Sequence, residues 1–429
     1  MQKRSSNSSS FLGNALIYTI GSMITPAMGL ILLPIYTLYL TPGEYGTITT
    51  IQALVSVLQL IMLLSLHGAI TRLYYEFIEK PKEQAAYLGS IFLFVLLFSS
   101  ALSIFLFVLK PLIGNLLLKS IPLDPFYFYF IILSFVTSLS SLFLSIIRVK
   151  ERPWSFMIGY TLKGFLLLFI SLLVIIKLHM GASGALLASI ITEGAILLVY
   201  FFICKKDMTF SISKSYVWMS LVYSIPLLPH TLSNWFIVAS DRVILEKFIS
   251  LDQLGYYGLA AQMSTVLRML YMSINSAYVP RYNLLQKQGK PVEKMNAYFL
   301  VIILVTGFLA IFCSGFLLRM LTSQSYYPAQ RFLPFLLIGE MLEGVNYIIA
   351  TKLLYFKKTG SVSSSSFIAA AINIVGNFAL IPFIGVWGAV VSTLAAEFIR
   401  LSFNILWLKR IKRSSCITKG NPEKYGGST

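Results

Sequence analysis

The chain has 429 residues, of which 57% are hydrophobic and only 12% are charged, and its formal net charge is +18. Soluble domains average about 25% charged residues, so the composition excludes a soluble globular protein. Apolar runs recur from end to end, and a helix needs about 20 such residues to cross a bilayer. These runs do not alternate as barrel strands do. The sequence therefore predicts an all-α polytopic membrane protein.

Twelve membrane helices are predicted in chain order. The apolar run from Phe11 to Leu40 follows a polar start and is too long for the apolar region of a signal peptide, so we interpret it as a retained first helix. No segment between the predicted helices is long enough for a separate soluble domain. The helices cover residues 11–40, 45–75, 84–110, 123–149, 153–179, 181–204, 216–247, 252–282, 293–319, 328–356, 361–383 and 384–409.

The positive charge is distributed unevenly between the two sides of the predicted membrane. Most Lys and Arg residues lie on the side that carries both termini, including the run from Lys409 to Lys424. The positive-inside rule then places both termini in the cytoplasm. This pattern argues against a nucleic-acid partner, because the charge follows topology and also attracts anionic lipid.

The two halves of the chain carry corresponding motifs in the same order. The stretch from Gly181 to Glu193 matches that from Gly385 to Glu397 at a fixed offset of 204 residues. A second match relates 40–46 to 249–255 at an offset of 209, which also relates Arg72 to Arg281. Six helices in each half predict two six-helix lobes related by a parallel repeat. The predicted division is a tail at 1–10, an N-lobe at 11–204, a linker at 205–215, a C-lobe at 216–410 and a tail at 411–429.

Each half opens with a helix that contains two prolines. These are Pro26 and Pro34 in the first helix, and Pro226 and Pro229 in the seventh. Proline removes a backbone hydrogen bond and kinks a helix. Membrane helices tolerate such residues, so the prolines are either incidental or mark helices that line a transport path and bend.

Two opposite charges are predicted near the midplane of the first half. Lys163 lies in helix 5 and Glu193 in helix 6, and charges at this depth are costly unless they have a partner or a cavity. The two side chains either form a structural ion pair, or Lys163 faces an anionic substrate. Glu193 is also a candidate for ion coupling.

Three acids in the second half are further candidates for ion coupling. Glu340 and Glu343 are three residues apart and share a helix face, as Glu397 and Arg400 do. Two close carboxylates suit a proton carrier or a cation site. The alternative is that these acids are packing contacts, with one of the first pair bound to Arg268 or Arg331 and Glu397 bound to Arg400.

The remaining polar candidates are assigned by depth alone. Arg72, Arg268 and Arg281 are cations that could meet a phosphate, although snorkelling explains the first and third equally well. His67 and Asn275 could hydrogen-bond a sugar or bridge two helices. Asp241 and Arg242, followed by Glu246 and Lys247, form either a solvated cluster or a gate that pairs when one side closes.

The sequence contains none of the catalytic and nucleotide-binding motifs that we searched for. It contains no phosphate-binding loop of the G-x-x-x-x-G-K-[ST] type, no nucleophile elbow and no H-E-x-x-H pattern. Its three histidines are isolated, and its three cysteines predict no disulfide framework. We therefore expect a protein that is not an enzyme, without catalytic residues, metal or cofactor, and driven by a gradient or a partner.

Several of these stretches resemble those of bacterial polysaccharide flippases of the O-antigen and capsule type, in the multidrug/oligosaccharidyl-lipid/polysaccharide exporter superfamily. The stretches span nearly the whole chain in the expected order. They are Leu40-Thr41-Pro42-Gly43-Glu44-Tyr45-Gly46; Ser240-Asp241-Arg242-Val243-Ile244-Leu245 with Leu254-Gly255-Tyr256-Tyr257; and Asn373-Ile374-Val375-Gly376-Asn377 through Leu380-Ile381-Pro382 to Ile384-Gly385-Val386-Trp387-Gly388-Ala389.

The resemblance implies a V-shaped pair of lobes in the bacterial plasma (inner) membrane. It implies that undecaprenyl-pyrophosphate-linked oligosaccharide units, as in lipopolysaccharide or capsule assembly, move from the cytoplasmic to the outer leaflet by alternating access. Coupling to H⁺ or Na⁺ would be expected, with polysaccharide-assembly membrane proteins as possible partners. Basic residues in the central cavity would hold the pyrophosphate, and by position we nominate Arg72, Lys163, Arg268 and Arg281.

Three other functions compete with this hypothesis. A drug or metabolite exporter of the same superfamily would share the fold, but small cationic substrates favour a cavity in which carboxylates outnumber cations. A membrane-embedded polysaccharide polymerase usually has a large outer loop, whereas the longest outer loop predicted here spans only 111–122. A passive scaffold or channel has no need for acids and bases at midplane depth.

Overall fold

The computed structural model describes residues 8–419; residues 1–7 and 420–429, which belong to the two predicted tails, lie outside the described residues. The described part is helical throughout and contains no strand, which confirms the predicted fold class. Nine of its helices are long and apolar enough to cross a membrane. The α-helices are α1 (Ser8–Tyr39), α2 (Pro42–Leu63), α3 (Leu66–Leu73), α4 (Pro81–Val108), α5 (Lys110–Leu117), α6 (Phe126–Val149), α7 (Pro153–Ser171), α8 (Gly181–Cys204), α9 (Lys214–Ser224), α10 (Leu228–Leu245), α11 (Leu251–Lys287), α12 (Glu293–Leu321), α13 (Leu333–Tyr355), α14 (Thr359–Ile384) and α15 (Val386–Lys419).

Helix breaks differ from the prediction in two places. The predicted second helix is divided into α2 and α3, because Leu64 and Ser65 adopt positive φ angles of 47° and 57° that a right-handed helix cannot contain. The predicted seventh helix is interrupted by a 3₁₀ turn at Ile225–Leu227, which contains Pro226. By contrast, α1 runs as one helix through both of its prolines. The seventh helix is therefore interrupted at a proline and the first is not, and whether either helix lines a transport path and bends stays a prediction.

The sequence repeat is visible in the local backbone geometry. Gly181 and Gly385, which match at the 204-residue offset, have φ angles of 57° and 58°. Each lies at the start of the last helix of its half, α8 or α15. Only glycine adopts positive φ without steric cost. The two glycines thus share a positive φ at matching positions of the repeat, as expected of a duplicated chain.

The chain forms two compact units. Unit 1 contains the described residues up to Trp235 together with Arg242–Gly258 and Leu321–Tyr327. Unit 2 contains Phe236–Asp241, Leu259–Met320 and the described residues from Pro328 onward. The lobe boundary at 205–215 and the V-shaped arrangement stay predictions.

Two apolar cores lie among the described residues of unit 1. One lies around α3, α4 and α6 and includes the fully buried Leu66, Tyr87 and Phe143. The other lies around α2, α6 and α8 and includes Ile51, Tyr127 and Leu186. Because α6 contributes to both cores, it is the central helix of the unit and holds α2 and α8 in place beside it.

Segments from the second sequence half complete one end of unit 1. The first turn of α11 packs against the first turn of α2, where glycines permit backbone contact: a Cβ on Gly46 would meet the Leu251 carbonyl, and one on Gly255 would meet that of Pro42. The Tyr326 hydroxyl donates to the Leu40 carbonyl at 3.0 Å. Burial raises the pKa of Tyr326, so this donor stays protonated. We call this region the α2 end of unit 1.

In unit 2, α13, α14 and α15 pack on one another. Small residues allow the close approach, with Ala369, Ala370 and Ala396 in a buried cluster. A Cβ on Gly344 of α13 would lie 2.8 Å from the Tyr271 ring of α11, so glycine at this position lets α11 approach α13 closely. This packing brings the polar faces of α11, α13 and α15 together inside the unit.

Candidate functional site

The two acids that match in the sequence repeat are both buried and both paired. In unit 1, Lys163 of α7 forms an ion pair with Glu193 of α8. The structure therefore contains the predicted pair, and whether Lys163 also contacts a substrate stays a prediction. Close packing of the two helices depends on Gly159, where a Cβ would meet the Tyr200 side chain of α8. Glu193 is only 7% exposed, so the Lys163 ammonium group neutralises a carboxylate that water barely reaches.

A cavity of about 300 Å³ borders this pair. It lies between α2, α6, α7 and α8, and a smaller cavity of about 120 Å³ shares Gln59, Thr137, Lys163 and Glu193 with it. Besides the ion pair, the polar residues that line the two cavities are Gln52, Ser56, Gln59, Thr137, Ser140, Ser141, Tyr160, Ser189, Thr192 and Tyr200.

Two hydroxyl groups in these cavities have no hydrogen-bond partner in the structure. They belong to Ser140 of α6 and Thr192 of α8, and both are buried. Their neighbours are satisfied, since Gln59 donates to the Ser141 hydroxyl at 2.6 Å. A buried hydroxyl without a partner costs about 1–3 kcal/mol. Both oxygens are inaccessible to solvent, so they do not face the open space of the cavities.

Unit 2 contains a larger cluster of buried charges. Arg268 of α11 binds Glu340 of α13 through two hydrogen bonds of 2.8 and 2.7 Å. Its Nε atom also lies 3.4 Å from a carboxylate oxygen of Glu343. The pairing of Glu340 with Arg268 confirms one of the two partners predicted from the sequence. A planar guanidinium suits this bidentate geometry better than an ammonium group does.

The same cluster continues to α15. Arg400 binds Glu397 at 2.5 Å and lies 3.8 Å from Glu343, so Glu343 lies between the two guanidinium groups. The Tyr347 hydroxyl also donates to Glu343, at 2.9 Å. Three carboxylates and two guanidinium groups give the fully ionised cluster a net charge of −1. One further proton would bring these five side chains to neutrality.

Unit 2 also contains buried asparagine side chains that the sequence analysis did not name as candidate site residues. Asn404 of α15 donates to Asn346 of α13 at 2.8 Å, and Asn377 donates to Asn373 within α14. Both Asn346 and Asn404 are nearly fully buried. The second amide pair has a sequence signal, since the two residues are four apart on one helix. The first joins residues far apart in the chain and had none.

The other predicted cations have a different environment. Arg72 is exposed and lies 3.3 Å from Glu76 one helical turn later, and Arg281 is also exposed. This environment fits snorkelling. His67 and Asn275 are half-buried, and the His67 Nδ1 and Asn275 Oδ1 atoms have no hydrogen-bond partner. Their roles stay predictions.

The prediction of a solvated cluster at the end of α10 is wrong, because both of its acids are buried. Asp241 is 3% exposed and Glu246 is 0% exposed. Glu246 accepts hydrogen bonds from the backbone N–H groups of Lys119, Ser120 and Ile121, at 2.7 Å and 3.1 Å for the first and last. The cause is the packing of the α2 end of unit 1, which removes this carboxylate from water and offers it three N–H donors. Whether Asp241 and Arg242 act as a gate stays a prediction.

Among the described residues, no group of His, Cys, Asp and Glu could hold a metal ion. The two sites contain ion pairs and hydrogen bonds. Unit 1 offers a neutral, hydroxyl-lined cavity, and unit 2 offers a buried cluster with an excess negative charge.

Comparison with known proteins identifies the family. The family model described as "Polysaccharide biosynthesis protein" matches residues 11–286. The chain belongs to this family. A curated relative, the Lsg locus putative protein 1 of Haemophilus influenzae, is 22% identical over 88% of this chain and 94% of its own length. These findings confirm the resemblance to polysaccharide flippases.

Solved structures share the fold. The lipid II flippase MurJ in an inward closed conformation aligns with a TM-score of 0.75 and 16% identity over 92% of this chain and 87% of its own. An inward-facing multidrug resistance transporter of the MATE family and MOP superfamily aligns with a TM-score of 0.67 and 14% identity, over 92% and 99%. Together with the nine apolar helices, this makes the chain a multi-pass membrane protein with the fold of flippases and exporters.

Proposed function

We propose that this protein is a flippase, not an enzyme, that moves undecaprenyl-pyrophosphate-linked oligosaccharide units from the cytoplasmic to the outer leaflet by alternating access. The observation that carries the proposal is the buried charge cluster of unit 2 in a chain of the polysaccharide biosynthesis family. We assign the bacterial plasma membrane as its location, with both termini in the cytoplasm. Polysaccharide-assembly membrane proteins are the expected partners.

The charge of the cluster supports coupling to an ion gradient. Burying an unbalanced charge costs several kcal/mol, so a proton taken up by one of the three carboxylates stabilises the cluster. Glu343 and Glu397 are the best placed acceptors, because both contact Arg400 and the bidentate partner of Arg268 is Glu340. Binding and release of one cation would then change the packing of α11, α13 and α15, since each carries part of the cluster.

The substrate assignment follows from polarity. A lipid-linked oligosaccharide has a charged head that cannot cross the bilayer alone, while its lipid tail can remain in the membrane. The sequence contains no phosphate-binding loop that would use ATP, so an ion gradient is the natural source of free energy. A relative that flips lipid II shares the fold, and this supports a lipid-linked substrate here as well.

Reconstitution into liposomes tests this function directly. A fluorescent undecaprenyl-pyrophosphate oligosaccharide is placed in the vesicles, and its exposure to an added glycosidase is followed with and without an imposed pH or Na⁺ gradient. We expect the gradient to accelerate exposure of the oligosaccharide to the glycosidase. An ionophore should return the rate to that measured without a gradient. Protein-free vesicles supply the background.

Export of small cations is the second candidate, because the MATE transporter that shares the fold is described as a multidrug resistance protein. The same vesicles therefore receive a cationic dye. Dye extrusion without oligosaccharide exposure under any gradient would replace the flippase proposal by that of an exporter.

A further inference from the structure

The connection between α8 and α9 exposes large apolar side chains although it is not part of a membrane helix. It covers residues 205–213, belongs to unit 1 and lies where the sequence analysis divides the two halves. Phe210 and Ile212 within it are 50% and 51% exposed. Connections that face water are usually polar, so these two side chains indicate a different environment.

Hydrogen bonds hold the α8–α9 connection against α4. The Thr209 N–H donates to the Ala85 carbonyl at 2.9 Å. The Ser90 hydroxyl donates to the Ser211 carbonyl at 2.8 Å. The last charged residue of α4, Glu83, precedes both contacts, and only uncharged residues follow it in the helix. The connection therefore lies where α4 changes from charged to apolar residues, which is the level of the lipid headgroups.

The protein itself satisfies backbone groups of the connection. The Ser90 hydroxyl accepts from the Ser213 N–H at 3.0 Å, in addition to donating to Ser211. Backbone groups that are withdrawn from water need such partners within the protein. Together with the exposed Phe210 and Ile212, these bonds fit a segment that lies in the membrane interface.

Uncompensated positive charge is present at the same level. Three exposed lysines lie in the connection or directly after it: Lys205, Lys206 and Lys214. Among residues 8–419, none of the three forms an ion pair with an acid. The acid of the connection, Asp207, is already bound by Lys150 and Arg152, each at 2.7 Å. The three ammonium groups are therefore available to an external anion.

Aromatic side chains lie beside these lysines. The Lys205 ammonium is 4.5 Å from the centroid of the exposed Phe202 ring at the end of α8. Trp218, one turn after Lys214 on α9, is 70% exposed. Tryptophan is enriched at the headgroup level, because its ring is apolar and its N–H is polar. Cations and apolar groups are thus interleaved along residues 202–218, which we call the interface patch.

We infer that the interface patch binds the headgroup of an anionic membrane phospholipid such as phosphatidylglycerol. The lysines contact the phosphate, and Phe202, Phe210 and Ile212 contact the adjoining part of the acyl chains. A zwitterionic headgroup carries its own cation, so the lysines favour the anionic lipid over it. The inference does not depend on the transported substrate, and it places a lipid site on the segment that joins the two sequence halves.

The test uses Trp218 as a reporter of the adjacent lipid. The full chain is reconstituted into vesicles of equal parts phosphatidylglycerol and phosphatidylcholine. Brominated acyl chains, which quench tryptophan fluorescence on contact, are placed on one lipid or on the other. The chain has five tryptophans, so the quenching measured in Trp218→Phe is subtracted to isolate the signal of Trp218. The ratio of the two quenching signals gives the local preference for the anionic lipid.

The K205Q/K206Q/K214Q variant removes the charge of the patch, and K287Q/K290Q/K294Q is its matched control. The control removes three exposed lysines around the connection between α11 and α12. One lysine near an anionic membrane corresponds to about a 5-fold gain in affinity. We expect a preference for phosphatidylglycerol of at least this size in the wild type and the control, and loss of most of it in the patch variant.

Three outcomes would overturn the inference. The first is equal quenching by the two lipids in the wild type. The second is the same loss of preference in both triple variants, because it would reflect the net charge of the protein and not the patch. The third is displacement of phosphatidylglycerol from Trp218 by a trace of undecaprenyl pyrophosphate, which would make the lipid-linked substrate the occupant. All substituted side chains are exposed, so the variants are expected to fold.

Discussion

Glu193 and Glu397 lie at matching positions in the two sequence repeats, but their charges are neutralised in different ways. Glu193 in unit 1 binds Lys163, a residue of the preceding helix. Glu397 in unit 2 binds Arg400, one turn later on its own helix. The first pair is neutral and borders a cavity. The second belongs to a cluster with two further carboxylates and one further guanidinium.

The difference shows how duplicated helices can acquire separate roles. Gln59 and Arg268 differ by the same 209 positions as Arg72 and Arg281. In unit 1 the amide of Gln59 donates to Ser141 on α6, while in unit 2 Arg268 binds Glu340 on α13. The same position is therefore a neutral hydrogen-bond donor in one unit and a cation in the other. One repeat therefore holds a neutral ion pair, and the other holds a cluster with an excess negative charge.

Substitution of Arg268 is expected to cause the largest loss in the free energy of unfolding. Arg268→Ala leaves Glu340 and Glu343 without their main cation, and breaking a buried ion pair costs about 3–5 kcal/mol. Thermal and denaturant unfolding of the purified protein would measure the loss of stability. The R268A/E340Q double variant is the control, because it removes one of the stranded charges and should recover part of the loss. A loss below about 1 kcal/mol in the single variant would mean that water already solvates the cluster.

Removal of Lys163 is expected to cost less. Lys163→Ala strands only Glu193, and the cavity beside it can admit water, so we expect a loss of about 1–3 kcal/mol. Lys163→Met keeps most of the packing of the side chain, and its comparison with Lys163→Ala in the same unfolding measurement isolates the charge. If Lys163→Ala destabilises the protein as much as Arg268→Ala, the contrast between the two units is lost.

Neutralising Glu397 is expected to change coupling more than stability. Glu397→Gln removes the excess negative charge of the cluster, and we expect the ratio of flipping rates with and without a gradient to fall about 10-fold, or about 1.4 kcal/mol. Glu193→Gln lies at the matching position, and we expect this ratio to persist there even if the absolute rate falls. Equal losses of the ratio in the two variants, measured in the liposome assay, would assign coupling to both units.

The smallest effect is expected at the matched pair Arg72 and Arg281. Both side chains are exposed, so substitution by Ala should change the free energy of unfolding by less than about 0.5 kcal/mol. Chemical unfolding of each variant measures this change. A larger loss would show that these arginines have buried contacts, as Arg268 does. Slower flipping at unchanged stability would instead indicate contact with the substrate.

Much of the fold was predictable because membrane helices have a strong local signal. All twelve predicted spans correspond to single helices or to helices divided by one break, and the predicted bounds of α8 agree with the structure. The break between α2 and α3 was not predictable, since Leu64 and Ser65 are unremarkable residues in an unusual backbone conformation. Which segments belong to unit 1 was also not predictable. The segment Arg242–Gly258 joins this unit through contacts with residues that are far from it in the sequence.

The sequence by itself determined the helices, the duplication and the presence of charges at membrane depth. These properties depend on composition and on residue spacing along one chain. The Glu397–Arg400 pair belongs to this group, because the two residues are three positions apart on a helix. Arg268 and Glu340 are 72 residues apart in the chain. The three backbone N–H groups that bind Glu246 are 125, 126 and 127 residues away from it. Only the tertiary structure decided these partners, because they depend on how each helix is rotated and how closely it packs against its neighbours.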